Sequence, residues 1–157
     1  MNEILNGILK ILNNHSDVSI ILPMHKNRIV REPIINLLGE HPRVNLLEPL
    51  PYNQFVEMLR LCYLVITDSG GLQEEAPSMG KPVLVTRETT ERPEAIEAGT
   101  AKLVGVDSDE ISIQVDKLLT EKRAYEEMSK KINPFGDGKA SFKILNNCLS
   151  FLKIWWI

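Results

Sequence analysis

The 157-residue chain sets 18 Lys and Arg against 21 Asp and Glu, a formal net charge of −3, with 43% hydrophobic and 25% charged residues. That balance suits one globular domain with a real core, and without a basic cluster it argues against a nucleic-acid binder. No leader or membrane span is legible, since the amphipathic start is broken by Asn13, Asn14 and His15, and cytoplasm is the expected compartment.

Taken in order, the chain alternates between helical and extended patterns. Ile4, Leu5, Ile8, Leu9 and Leu12 recur at helical spacing and predict a helix over 3–14. Val18–Leu22 reads as a strand ended by Pro23, Met24 and His25. Arg28–Leu38 reads as a helix that begins near Pro33 or is kinked there. Val44–Leu47 predicts a strand and Tyr52–Leu61 a helix with Phe55, Met58 and Leu59 inward. The run Tyr63–Ile66, rich in β-branched and aromatic residues, predicts a buried strand. A helix follows from Leu72 to Met79, with Leu72, Ala76 and Met79 on one face and Gly80 as its stop. Further on come a strand at Pro82–Thr86, a short helix at Pro93–Ala98 and a strand at Ala101–Val104. Asp107, Ser108 and Asp109 start a helix through Leu119 with Ile111, Ile113, Val115 and Leu118 as its apolar residues. The turn-rich Asn133–Gly138 precedes a last helix from Lys139 to about Lys153 and an apolar Ile154–Trp155–Trp156–Ile157 tail. Residues 1–137 are therefore expected to form the ligand-binding domain, with 138–157 its C-terminal helix and tail.

Repeated strand–helix units with short connections predict an α/β fold, a doubly wound, mostly parallel, Rossmann-like sheet covered on both faces. Ligand is then expected outside the carboxyl ends of the strands. Cys62 and Cys148 lack metal-ligand spacing and read as buried thiols of a reducing compartment. No metal site is legible, and no cofactor is expected.

One turn in that fold carries chemistry. Thr67–Gly71 joins the buried strand to the helix after it. The first amides of a helix have no partners within it, and the aligned peptide dipoles leave partial positive charge there. Gly70 and Gly71 carry no Cβ, so an anion can come close to the backbone. The Ser69 hydroxyl either caps the helix or bonds a phosphate. Glu75, about a turn further in, is placed for a ribose diol or is an exposed carboxylate. Asp68 either holds the turn or meets ligand.

The longer context is more specific. DSGGLQEEAPSMGKPVLV from Asp68 to Val85, RETTERPEA from Arg87 to Ala95, Ala98–Thr100 and LVGVD from Leu103 to Asp107 closely resemble the non-hydrolysing UDP-N-acetylglucosamine 2-epimerases. The resemblance runs from about Val18 to Asn147 and covers the C-terminal half of such an enzyme. It implies one half of the two-domain GT-B architecture, with a UDP-sugar held between the halves. The implied reaction interconverts UDP-GlcNAc and UDP-ManNAc: UDP is eliminated and then added back on the other face.

Carried over by position, Ser69, Gly70 and Gly71 are similar to the family's diphosphate contacts, Glu75 to its ribose carboxylate and Arg92 to its nucleotide-binding arginine. Phe55 aligns with an aromatic beside the uracil, and Leu50 lies where the uracil is read through backbone groups. The residues alone leave alternatives open. Arg92 also suits a surface pair with Glu88, Glu91 or Glu94, and Phe55 suits the core. His25, in a segment similar to one beside a regulatory UDP-GlcNAc site, either serves regulation or fixes its loop. His15 and His41 are expected to do nothing chemical. The family's acid and base carboxylates and its His-Arg-x-Glu histidine have no counterpart here, so a truncated or split protein is expected. Such a chain is inactive until the N-terminal half is supplied in cis or in trans, and in the full-length form it is a homodimer. Two alternatives of other classes stand beside this reading: the UDP-binding half of another GT-B glycosyltransferase or hydrolysing epimerase, and a non-catalytic binding fragment. Cell-envelope polysaccharide synthesis is the implied setting.

Overall fold

The structure, a computed structural model, describes residues 1–152; the Trp155–Trp156 tail and Lys153, where the last helix was expected to end, lie outside the described residues. Two regions carry the fold. In the first, α1 (Asn2–Asn14), β1 (Ile20–Pro23), α2 (Arg28–Leu38) and β2 (Val44–Leu47) alternate. The second runs through α3 (Tyr52–Leu61), β3 (Val65–Thr67), α4 (Gly70–Ser78), β4 (Val83–Val85), α5 (Pro93–Glu97) and β5 (Ala101–Leu103). Helices α6 (Ser108–Thr120), α7 (Lys122–Ser129) and α8 (Ala140–Phe151) close the described chain.

Every described strand pair is parallel, as expected, but the backbone ladder is divided. β1 pairs with β2 (Ile20 opposite Val44), and β3, β4 and β5 form a separate ladder (Val65 opposite Val83, Val83 opposite Ala101). One continuous sheet was the expectation. β1 donates to β2 from Ile20 and, just past its end, Met24. Alternation along a strand then puts Pro23 on the opposite edge, where it has no N–H to give. Side chains of α1 join the two parts instead. Leu5, Ile8 and Leu12 pack with Met24, Ile34 and Leu38, whereas Ile11 packs with Leu84, Ile111 and Val115.

The second sheet is covered on both faces by period-two alternation. Val83 and Val85 pack with Leu59, Val65, Ala76 and Ala95 of the α3–α4–α5 side, while Leu84 between them joins Ile11, Val104 and Leu118 of the α1–α6 side. Each fully buried side chain of this size is worth about 1.5–3 kcal/mol. α1 lies close on α6: a Cβ at Gly7 would stand 3.2 Å from Ile111 Cβ and from the Ser108 carbonyl oxygen.

Local signals set several helix ends. Asp107 accepts from Asp109 N–H and Glu110 N–H at 2.9 Å, capping α6 as its sequence implies. Past α4, Gly80 at φ 68° closes a Schellman turn, with Gly80 N–H on the Pro77 carbonyl and Lys81 N–H on that of Ala76. Gly99 at φ 73° repeats the device after α5, with bonds to Ile96 and Ala95.

Several expectations are corrected. α2 does not begin at Pro33. The Asn27 side chain caps it six residues before that proline, and the buried Ile34 and Leu38 offset the one main-chain bond that proline removes. α4 starts at Gly70 rather than Leu72; Leu72, Ala76 and Met79 do share the face packed on the β3–β4–β5 core, and Gln73 and Pro77 are buried beside them. Ile113 is 57% exposed, because the inward face of α6 is Ile111, Ser112, Val115 and Leu118. Helix α7 was not foreseen; Tyr125 holds it by stacking on Tyr63 at 4.2 Å and donating to the Tyr63 carbonyl. Cys148 is exposed on α8, which buries no residue, while Cys62 is half-buried and burial pushes its thiol pKa up.

Arg43, just before β2, ties the first region together. Its guanidinium donates to the carbonyls of Leu12, His15 and Val18, at and beyond the C-terminal end of α1. The Leu12 carbonyl, in the last turn of α1, lacks a helical partner and lies at the negative end of the dipole, so a cation suits it. His15, for which no chemical role is expected, has a structural one: it joins the end of α1 to α6 through Asp116 at 2.9 Å.

Candidate functional site

The turn between β3 and α4 is built from its side chains inward. Ser69 is the N-cap residue of α4, in extended conformation, and its hydroxyl makes no capping bond. The buried Thr67 hydroxyl accepts Ser69 N–H at 3.0 Å, so Thr67 rather than Asp68 holds the turn. Gly70 and Gly71 are the first two helical residues, and neither has positive φ. Backbone conformation therefore does not require glycine at either position. What glycine leaves there is space: a Cβ on Gly70 would meet nothing nearer than Arg92 Cζ and Glu91 Oε2, both at 3.8 Å.

The same contact puts the Arg92 guanidinium beside the start of α4, since Arg92 Nη2 lies 3.9 Å from that Cβ position. Arg92 reaches it from the N-cap of α5, across the loop that leaves β4. Its partner is Glu74, bonded through Nε, and not one of the three carboxylates expected from sequence. Glu74 holds the Arg92 pKa above its ordinary value. Neighbouring helix positions do not share a face, so Glu75 is turned away from that pair. Its main-chain carbonyl accepts the Ser78 hydroxyl at 2.6 Å.

Beneath the turn lies a polar link that sequence reasoning missed. Gln73 is 0% exposed. Its Nε2 donates to the Ser69 carbonyl at 3.3 Å, and its Oε1 accepts the Thr90 hydroxyl at 2.5 Å. The same Thr90 oxygen accepts Arg92 N–H at 3.0 Å. The signal was there: Gln73 stands three residues before Ala76, a polar side chain on the inward stripe of a helix.

A strand, a glycine turn opening a helix, and an arginine brought over it from the next loop make an arrangement suited to an anion. A family profile described as UDP-N-acetylglucosamine 2-epimerase matches residues 1–149. The chain belongs to that family. The UDP-N-acetylglucosamine 2-epimerase of Escherichia coli (strain K12) is 48% identical over 143 residues, covering 91% of this chain and 38% of that protein. The S. aureus MnaA–UDP co-structure matches with a TM-score of 0.92 and 41% identity over 98% of this chain and 42% of that one. A Neisseria meningitidis UDP-GlcNAc 2-epimerase bound to UDP-GlcNAc matches with a TM-score of 0.90 and 43% identity over 95% and 40%. The chain thus spans about two-fifths of the length of these relatives. Its fold is one half of the GT-B architecture.

The remaining residues singled out in this chain are less closely gathered. Phe55 is half-buried and packs against the β3–β4–β5 core, which gives it a structural task on α3. Leu50 is half-buried in the loop between β2 and α3. His25 is exposed just after β1, where its Nδ1 accepts Asn27 N–H at 3.1 Å and so secures the loop that caps α2. All three follow the carboxyl ends of strands or the loops leaving them. Among the described residues no cluster of three His, Cys, Asp or Glu side chains is placed to hold a metal ion, and no helix is long and apolar enough to cross a membrane.

Proposed function

We propose that this chain is the UDP-binding half of a UDP-GlcNAc 2-epimerase. The observation that carries the reading is two φ-unconstrained glycines at the start of α4 with the Arg92 guanidinium 3.8–3.9 Å from the Cβ position of the first, Gly70. Free amides and helix dipole meet the diphosphate, and Arg92 adds a permanently charged fork suited to two phosphate oxygens. Ser69, Gly70 and Gly71 hold the diphosphate, Glu75 the ribose diol, and Phe55 and Leu50 border the uracil. Relatives bound to UDP and to UDP-GlcNAc support that ligand class.

The epimerisation itself is proposed for the protein in which this unit meets its other half, in cis or in trans. There UDP departs from C1 as a proton leaves C2, and the reverse addition delivers the other C2 configuration. Arg92 and the α4 amides stabilise the departing diphosphate, while the acid and base groups come from the other half. Alone, this chain binds UDP and does not epimerise. A second binding role, for UDP-GlcNAc beside His25, and a cytoplasmic location complete the proposal.

Calorimetric titration with UDP tests it, using wild type, Arg92→Ala and Glu75→Ala. Saturable binding weakened by both substitutions is expected; a folded chain that does not bind UDP overturns the reading.

A further inference from the structure

We infer that Gln73 is a positioning residue which, through Thr90, sets where Arg92 stands over the start of α4; the inference rests on the nucleotide-site reading above. The link has two ends and no slack. At one end Gln73 Nε2 holds the Ser69 carbonyl, and at the other Thr90 passes the bond from Gln73 Oε1 to the Arg92 main-chain N–H. Donor and acceptor roles admit one arrangement. Arg92 N–H only donates, so the Thr90 oxygen accepts there and spends its single hydrogen on Gln73 Oε1. Turning the Gln73 amide over would set its oxygen against the Ser69 carbonyl oxygen.

Stability does not call for glutamine here. A wholly buried side chain costs less when apolar, and a methionine of similar volume would fill the same space. What glutamine adds is a fixed distance between the turn and the loop carrying Arg92. The guanidinium is held separately, by Glu74, whose own carbonyl accepts from Asn133 Nδ2 at 3.2 Å. Gln73 thus sets the main chain of Arg92, and Glu74 its tip.

The variants are Gln73→Met, Thr90→Val and, as the conservative control, Thr90→Ser. Amide hydrogen exchange reads the position of the loop without any ligand. Gln73→Met and Thr90→Val are expected to speed exchange at Arg92 about tenfold, while Thr90→Ser and the amides of Val83–Val85 keep wild-type rates. UDP titration reads the consequence. The same two variants are expected to raise the Kd about tenfold, and Gln73→Met is expected to add nothing in an Arg92→Ala background, because its effect runs through Arg92. A further tenfold loss in that background overturns the inference, as does unchanged Arg92 exchange. If wild type takes up no UDP, the nucleotide reading fails, and the exchange result alone upholds or overturns the positioning role. Thr90→Val keeps the test open if Gln73→Met does not fold.

Discussion

Two arginines stand at opposite kinds of helix end. Arg43 closes the C-terminal end of α1, where unpaired carbonyls and the negative dipole welcome a cation. Arg92 stands at the start of α4, where the dipole opposes it and Glu74 supplies the compensating charge. The first placement is what folding stability asks for. The second breaks a local rule, and such breaks gather where a protein binds or reacts. An anion at α4 turns Arg92 from an electrostatic cost into a contact.

Substitutions at the two ends should therefore separate stability from binding. Arg43→Met strips donors from three main-chain carbonyls and is expected to cost about 2–3 kcal/mol in urea unfolding, with UDP affinity unchanged in the folded protein. Equal loss of affinity and stability would erase the contrast. Arg92→Ala should behave the other way. It is expected to weaken UDP by about 1.5–3 kcal/mol in titration. Its pair with Glu74 is more than a third exposed, and stability should move by less than about 1 kcal/mol.

Gly70→Ala sharpens the same point. With no positive φ and no neighbour nearer than 3.8 Å, alanine is sterically free, and helix propensity predicts a gain of about 0.5–1 kcal/mol in unfolding. UDP binding should nonetheless fall, because the methyl stands where the phosphate approaches. A more stable variant with intact affinity would show that the glycine is not there for the ligand.

The smallest expected effect is one of pH. Arg31 bonds Glu48, just after β2, and holds its carboxyl below the usual range. A lowered folded pKa gives stability that is present above the ordinary carboxylate value and is lost as pH falls through the lowered one. Glu48→Gln should flatten that acid limb of the unfolding profile slightly. A steeper limb in the variant would reverse the sign.

Much of this was legible locally. Tyr52–Leu61 and Val44–Leu47 stand where periodicity put them, Gly80 stops α4, and Asp107 caps α6. Ser69, Gly70 and Gly71 were recognisable because a glycine turn between a strand and a helix is written in consecutive residues. α7 was not, since its charged run KRAYEEMS buries no residue fully and is placed by Ala124 and Met128 packing on the core and by Tyr125 reaching back to Tyr63.

By itself the sequence determined the alternation of elements, the parallel α/β class and the turn that opens α4, because each rests on spacing along the chain, and the family, because its residue blocks resemble those of the relatives. Tertiary structure decided the rest. It chose Glu74 over Glu88, Glu91 and Glu94 as the partner of Arg92, turned Ile113 outward and divided the ladder beside Pro23. It also buried Gln73 between Ser69 and Thr90. The polar pairings depend on residues that stand 17 or 18 positions apart, as Gln73 meets Thr90 and Glu74 meets Arg92, and periodicity within one element holds no record of that.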